Sequence, residues 1–229
     1  MKNKLKIVFA GSPKSSSTIL QSLIDNSDVE VPYVISQEPK RAKRGNKLLP
    51  TEVAIKATEN DIDLLEPRSL DEIKESITGF DFDFLLVAAY GKILPDWMLS
   101  APAYEPINVH YSILPKHRGA SPIQSTILAG DSEAGISIMK MTKGLDEGPI
   151  YKKFKIDIKE SDKEELEDKL SVIAAKNITS VLSEIKNKNI KPIDQNEDDA
   201  SYCKKIKKES GLIDLQKDNA EKILLKFRA

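Results

Sequence analysis

Residues 107–122 read Ile-Asn-Val-His-Tyr-Ser-Ile-Leu-Pro-Lys-His-Arg-Gly-Ala-Ser-Pro. Asn108 and His110 close a run with strand character, Ile113-Leu114-Pro115 turns away, and Arg118-Gly119 follows. Ser121-Pro-Ile-Gln124 then has the form of a capping box with proline at the first helical position, so it opens a helix. The stretch is therefore one strand–loop–helix unit. Side chains two apart on a strand point the same way, which turns the amide of Asn108 and the imidazole of His110 into one cleft.

The same unit recurs on both sides. Upstream, Ile7 to Ala10 is a short apolar run of the kind that makes a buried parallel strand. Gly11-Ser12-Pro13 breaks it, and Ile19, Leu20, Leu23 and Ile24 follow at helical spacing. Val31 to Ile35 is a second strand, Val53 to Thr58 a helix, and Ile62 to Leu65 a short strand. Ser69-Leu-Asp-Glu72 is a capping box opening a short helix. Phe84-Leu-Leu-Val-Ala-Ala89 is the most strand-like run, ending at Tyr90-Gly91, and Pro95 suits the first turn of a helix. Downstream, Gly135 to Met141 alternates as a strand and Ile150 to Ile158 returns as its neighbour. Ser161-Asp-Lys-Glu164 caps a long helix with Leu166, Leu170, Ile173, Ala174, Ile178, Val181, Leu182 and Ile185 on one face. Strands and helices alternate to about residue 187, which predicts a three-layer α/β fold with a mainly parallel sheet.

Two regions stand outside that alternation. Gln37 to Pro50 is polar, basic and aperiodic, and reads as a long loop. From Asn187 the chain is polar and lysine-rich, then ends in Ala220, Ile223, Leu224 and Phe227 at helical spacing. That last helix meets no terminator before Ala229, so the natural protein is expected to continue.

Composition narrows the function classes. Of 229 residues, 40% are hydrophobic and 31% charged, enough for a sizeable core and unlike a disordered chain. Lys+Arg 35 against Asp+Glu 36 gives a net charge of −1, so a nucleic-acid partner would have to be met by a local patch. Cys203 is alone, which excludes an intramolecular disulfide and fits a reducing compartment. Two histidines and one cysteine do not make a structural zinc site, and no metal is expected. The apolar run near the N-terminus is too short for a signal peptide or a membrane span, which reads as a cytoplasmic protein. Gly11-Ser12-Pro13 sits where a dinucleotide fold carries its phosphate loop. The glycine fingerprint is missing and Pro13 removes a backbone donor, so a tight strand-to-helix turn is the better reading.

An amide beside an imidazole suits oxyanion stabilisation and proton movement, although Asn at a strand end also makes local turns and a histidine is often simply a core residue. A second loop, Lys143-Gly-Leu-Asp-Glu-Gly148, follows another predicted strand and sets Asp146 between two glycines. Functional side chains of open α/β sheets gather at the carboxyl ends of strands, which favours catalysis; Asp146 as a plain turn former stays open. Lys40 to Lys47 holds five cations in eight positions, either a solvated surface loop or an anion-binding one.

Asn108-Val-His110, Ser112-Ile-Leu-Pro115, Arg118-Gly119 and Gly144-Leu-Asp146-x-Gly148 together resemble the folate-dependent formyltransferase family, and within it the branch acting on methionyl-tRNA. Phe9-Ala-Gly-Ser-Pro13, Arg44-Gly-Asn-Lys-Leu48 with Pro50, Ala89-Tyr-Gly91, Ile93-Leu-Pro95 and Ala129-Gly-Asp131 match as well. So does the tail, with Tyr202, Lys205, Ile213-Asp214 and Phe227-Arg228-Ala229. The resemblance implies a Rossmann-like formyltransferase fold, with residues 1–189 as the catalytic domain and 190–229 as its end and the start of an interdomain linker. The family's C-terminal barrel would be absent. It implies 10-formyltetrahydrofolate as formyl donor, the α-amine of initiator methionyl-tRNA as acceptor, no metal, and a monomer.

By that resemblance Asn108 stabilises the oxyanion, His110 manages protons and Asp146 orients His110. The folate pterin would enter by Tyr90 and Gly91 and be held through Ser112, Ile113, Leu114 and Pro115, while Arg41, Lys43, Arg44 and Lys47 would contact the tRNA. Five positions depart from the family pattern. Lys14-Ser15 replaces an acidic–aromatic pair, Tyr111 stands where a small residue is common, His117 where an aromatic is usual, and Leu215 where tryptophan is frequent. Tyr111 and His117 are the departures expected to bear on the folate entrance.

Overall fold

The computed structural model describes residues 4–41, 48–158 and 160–229. In chain order its elements are β1 (Leu5–Gly11), α1 (Lys14–Ile24), β2 (Val29–Glu30), β3 (Tyr33–Ile35), β4 (Lys40–Arg41), β5 (Leu48–Leu49), α2 (Glu52–Glu59) and β6 (Asp63–Leu65). A 3-10 turn at Leu70–Ile73 leads into α3 (Lys74–Thr78), followed by β7 (Phe84–Ala88), α4 (Asp96–Leu99), β8 (Glu105–His110), β9 (Arg118–Gly119) and α5 (Pro122–Leu128). The chain closes with β10 (Glu133–Lys140), β11 (Ile150–Asp157), α6 (Lys163–Lys186), β12 (Tyr202–Cys203) and α7 (Ala220–Arg228).

The main sheet runs β11-β10-β8-β7-β1-β3-β6, with β2 paired to β1. Pairings among β1, β2, β3, β6, β7 and β8 are parallel, and β10 is antiparallel to both β8 and β11. Only β10 therefore opposes the common strand direction, as a mainly parallel sheet requires. Strand parity sorts the core into two faces. Ile7, Phe9, Leu86, Ile107 and Val109 pack with α1, α5 and α6. Val8, Ala10, Leu85 and Val87 pack with Leu70, Ile73, Ile77 and Met98 on the opposite face. The three layers are the ones the periodicity predicts, and the expected inward face of α6 lies in the first cluster.

Several local expectations change. Residues 37–50 are not loop throughout: Lys40 pairs with Leu49 and Arg41 with Leu48, so a short antiparallel ribbon closes the base of that segment. Ser121 does not cap α5 with its side chain, because its hydroxyl accepts from the Ile206 amide instead. The long helix is capped by Asp162, whose carboxylate accepts from Glu165 N at 2.9 Å. The neighbouring Ser161 instead takes Lys169 on its hydroxyl and Arg228 on its carbonyl. In α7 it is Leu225 that packs on the core, while Phe227 is 85% exposed. No helix among the described residues is long and apolar enough to cross a membrane.

Candidate active site

The second helical layer, α3 and α4, covers β1 and β7 but not β8 or β10. Asn108 lies in register with Val87, so both side chains point to that face of the sheet, Val87 under the helices and Asn108 on the half they leave uncovered. There the loops 112–121 and 141–149 take the place of a helix. The expected cleft would then lie at the carboxyl end of β8, where open α/β sheets hold their ligands.

Asn108, His110 and Asp146 come together in it. Asn108 Nδ2 donates to Asp146 Oδ1 at 3.3 Å, and His110 Nδ1 lies 3.6 Å from Asp146 Oδ2. Gly119 N donates to Asp146 Oδ2 at 2.8 Å. His110 is buried, and its Nε2 faces the His117 carbonyl oxygen at 3.0 Å. A carbonyl only accepts, so Nε2 carries the proton and Nδ1 is the nitrogen left to exchange one. Asp146 sits at φ +54, a left-handed conformation that Asp tolerates better than most residues. Asn108 keeps a second amide hydrogen for a ligand in the cleft. The three can thus offer one hydrogen-bond donor, one proton-exchanging nitrogen and one fixed carboxylate.

The tail after α6 closes over both loops, a role the sequence did not disclose. Gln195 Nε2 donates to the carbonyl oxygens of Asp146 at 2.8 Å and Gly148 at 2.7 Å. Gln195 Oε1 accepts from Arg118 Nε at 3.0 Å. Arg118, one of the motif residues that carry the resemblance, is fully buried and does not serve the cleft. Its guanidinium is forked onto Glu197 at 2.9 and 2.8 Å and donates to the Tyr202 hydroxyl at 2.9 Å. Glu197 in turn raises the Arg118 pKa and is itself held below the usual carboxylate range. β12 runs parallel to β9, with Cys203 beside Gly119. Gly119 has φ +117, and any Cβ there would collide with the Cys203 carbonyl.

The residues expected to hold folate line the same side. Tyr90 is buried, with its hydroxyl pushed up to about 12 by burial, and Gly91 turns at φ +78. In 112–115 much of the backbone is engaged internally. Leu114 N donates to Ser137 Oγ at 3.0 Å, Ser112 O accepts from that hydroxyl, Ile113 O accepts from Lys116 N, and Pro115 O from Ser201 N.

Tyr111 does not reach the folate side. It follows His110 by one, points to the other face, and is buried in the core between sheet and helices. His117 turns its ring to Asp131 at 2.7 Å, also away from the cleft. Among the residues expected to meet tRNA, Arg41 is exposed on β4; Lys43, Arg44 and Lys47 lie outside the described residues. Among the described residues no three His, Cys, Asp or Glu side chains gather as a metal site.

Comparison with known proteins places this geometry. The profile of the family described as Formyl transferase matches residues 4–182. A methionyl-tRNA formyltransferase of Mesoplasma florum is 40% identical over 207 residues, covering 90% of this chain and 66% of its own length. One from Sulfurovum sp. is 41% identical over 231 residues, covering 99% of this chain and 73% of its own. The chain thus spans about two thirds of the length of these relatives. A crystal structure of a sugar 3N-formyl transferase, in the presence of dTDP and 5-N-formyl-THF, superposes with a TM-score of 0.72 at 19% identity. It covers 99% of this chain and 79% of its own.

Proposed function

The chain belongs to the formyl transferase family, among the methionyl-tRNA formyltransferases, and we propose that its protein formylates the α-amine of initiator methionyl-tRNA from 10-formyltetrahydrofolate. The neutral amine attacks the formyl carbon and a tetrahedral species forms. The second amide hydrogen of Asn108 meets the oxyanion, a contact worth roughly 10²–10³ in rate, or about 3–4 kcal/mol. His110 Nδ1 takes the proton that the attacking nitrogen sheds and delivers it to N10 of the folate as the carbon–N10 bond breaks, a role worth about 10²–10⁴. Products are N-formylmethionyl-tRNA and tetrahydrofolate, and the proton count balances. Asp146 holds the amide and the imidazole at one place.

The convergence of Asn108 and His110 on the single carboxylate of Asp146 carries this reading, since folate or RNA binding alone needs no such set. The folate enters past Tyr90 and Gly91 and rests on Ser112–Pro115, and the basic segment with Arg41, Lys43, Arg44 and Lys47 meets the tRNA acceptor stem. Residues 1–189 form the catalytic domain and 190–229 its end and the start of a linker. The protein acts in the cytoplasm as a monomer.

A formyl-transfer assay with labelled donor, comparing methionyl-tRNA, free methionine and glycinamide ribonucleotide, tests the reaction. Transfer to methionyl-tRNA is expected, and equal transfer to the ribonucleotide would overturn the acceptor. Asn108→Ala, His110→Ala and Asp146→Ala should each collapse turnover while folate still binds. Near-normal turnover in Asp146→Asn would remove the carboxylate's electrostatic role.

A further inference from the structure

We infer that Gln195 is a positioning residue for Asp146, clamping the left-handed turn that presents its carboxylate to His110. The inference rests on the formyl-transfer reading above. Asp146 and Gly148 aim two carbonyl oxygens at one place, and Gln195 Nε2 donates to both, at 2.8 and 2.7 Å. A primary amide has two hydrogens on one nitrogen, so a single side chain satisfies both oxygens; a carboxylate could satisfy neither. The amide is locked the right way round because Gln195 Oε1 accepts from Arg118 Nε, and Arg118 has no solvent exposure.

The segment carrying Gln195 is fixed on either side. Ile193 exchanges backbone hydrogen bonds with Ile150 at 2.8 and 2.9 Å, two residues past Gly148. Arg118 N donates to Ser201 O at 2.8 Å on the other side. A non-glycine residue at φ +54 persists only where its surroundings over-determine it. Within the 143–148 loop, the Gln195 amide supplies that constraint on the backbone, while Gly119 N supplies it on the carboxylate. The family profile ends at residue 182, so this clamp lies beyond the part of the chain it matches. It is built instead from the segment that leads away from the catalytic domain.

The test uses the full-length protein and compares wild type with Gln195→Glu and Gln195→Ala. Gln195→Glu is isosteric and still accepts from Arg118, yet gives nothing to the two carbonyls. Expected is a 10- to 100-fold fall in kcat for both Gln195 variants, the scale of a catalytic group displaced by about 1 Å. The KM for folate should stay within about threefold and the unfolding midpoint within a few degrees. Wild-type kcat in Gln195→Glu overturns the clamp. So does a parallel loss of kcat, folate binding and cooperative unfolding, which a merely structural role explains. A wild type that fails to formylate methionyl-tRNA overturns the underlying reaction instead, and the two failures are read in separate lanes of the same assay.

Discussion

His110 Nε2 lies 3.0 Å from the carbonyl oxygen of His117, so one backbone oxygen sets the tautomer of the ring proposed to move the proton. His117 presents that oxygen from a left-handed conformation, φ +58. Its ring is tied to Asp131 at 2.7 Å and its amide donates to Ser201 Oγ at 2.9 Å. The ring thus points away from the cleft, and it is the backbone of His117 that meets His110.

His117→Gly and His117→Val separate backbone from side chain. Glycine adopts φ +58 without cost, so turnover should stay within about threefold of wild type. Valine is strained there by about 1–2 kcal/mol and tilts the carbonyl away from His110, so both stability and kcat should fall. Urea unfolding beside a turnover assay checks the pair. A glycine variant as inactive as the valine variant would mean that the ring itself serves the chemistry.

Tyr111 and Ser15 meet across the layer between β8 and α1, where burial raises the phenol and the Ser15 hydroxyl opposes that rise. The resemblance implies a small residue at 111 and an aromatic at 15, which would exchange the large and small partners here. Tyr111→Ala should cost about 3–5 kcal/mol through the cavity it opens. Ser15→Phe alone overpacks by about 1–3 kcal/mol. The double variant should be more stable than the sum of the two predicts, by roughly 0.5–3 kcal/mol. Strict additivity in a double-mutant cycle would show that the two sites do not share one space.

The alternation of strands and helices was legible because apolar spacing is a local property, and the same parity brought Asn108 and His110 to one face. Parity also sends Tyr111 to the opposite face, so its burial in the core could have been read in place of a position on the folate rim. Asp146 could be suspected from its place after a strand. Gln195 could not, because it contacts two backbone carbonyls and no sequence period marks such a partner. Nothing in the spacing around Arg118 marks it as buried, and the fold reveals Glu197, Gln195 and Tyr202 around it. The capping box at Ser69–Glu72 forms, but the other two failed for a related reason: at Ser121 a tertiary donor, Ile206 N, took the hydroxyl. At 161–164 the carboxylate of Asp162 capped the helix one residue later.

Tyr90 sets an alkaline limit. Its hydroxyl is buried without a protein partner among the described residues, and burial raises its pKa from 10.0 to about 12. The unfolded chain releases this proton near 10, while the folded one holds it. Stability from this group is therefore complete below pH 10 and is lost as pH rises toward 12, by on the order of 2 kcal/mol. Tyr90→Phe should flatten the fall in unfolding midpoint across pH 10–12. At pH 7 it should be neutral or slightly stabilising, since it removes an unsatisfied buried hydroxyl. Parallel midpoint curves for the two proteins would place the alkaline loss elsewhere.

The basic segment after β3 makes the last prediction, on affinity rather than rate. Lys40 and Arg41 are exposed on the ribbon they form with Leu48 and Leu49, which fixes the base of the segment beside the strand ends. A cation that contacts a phosphate releases a counterion, so each contact adds close to one unit to the slope of log affinity against log salt. Arg44→Ala and Arg41→Ala should each weaken initiator tRNA binding and lower that slope by about 0.7–0.9. Folate KM should not move, because the segment is proposed to meet tRNA and not folate. Lys205→Ala, in the lysine-rich stretch after β12, should leave the slope unchanged if that stretch is only solvated. Binding titrations at several salt concentrations decide between these. An Arg44→Ala protein with the wild-type affinity and slope would return the segment to an ordinary charged surface.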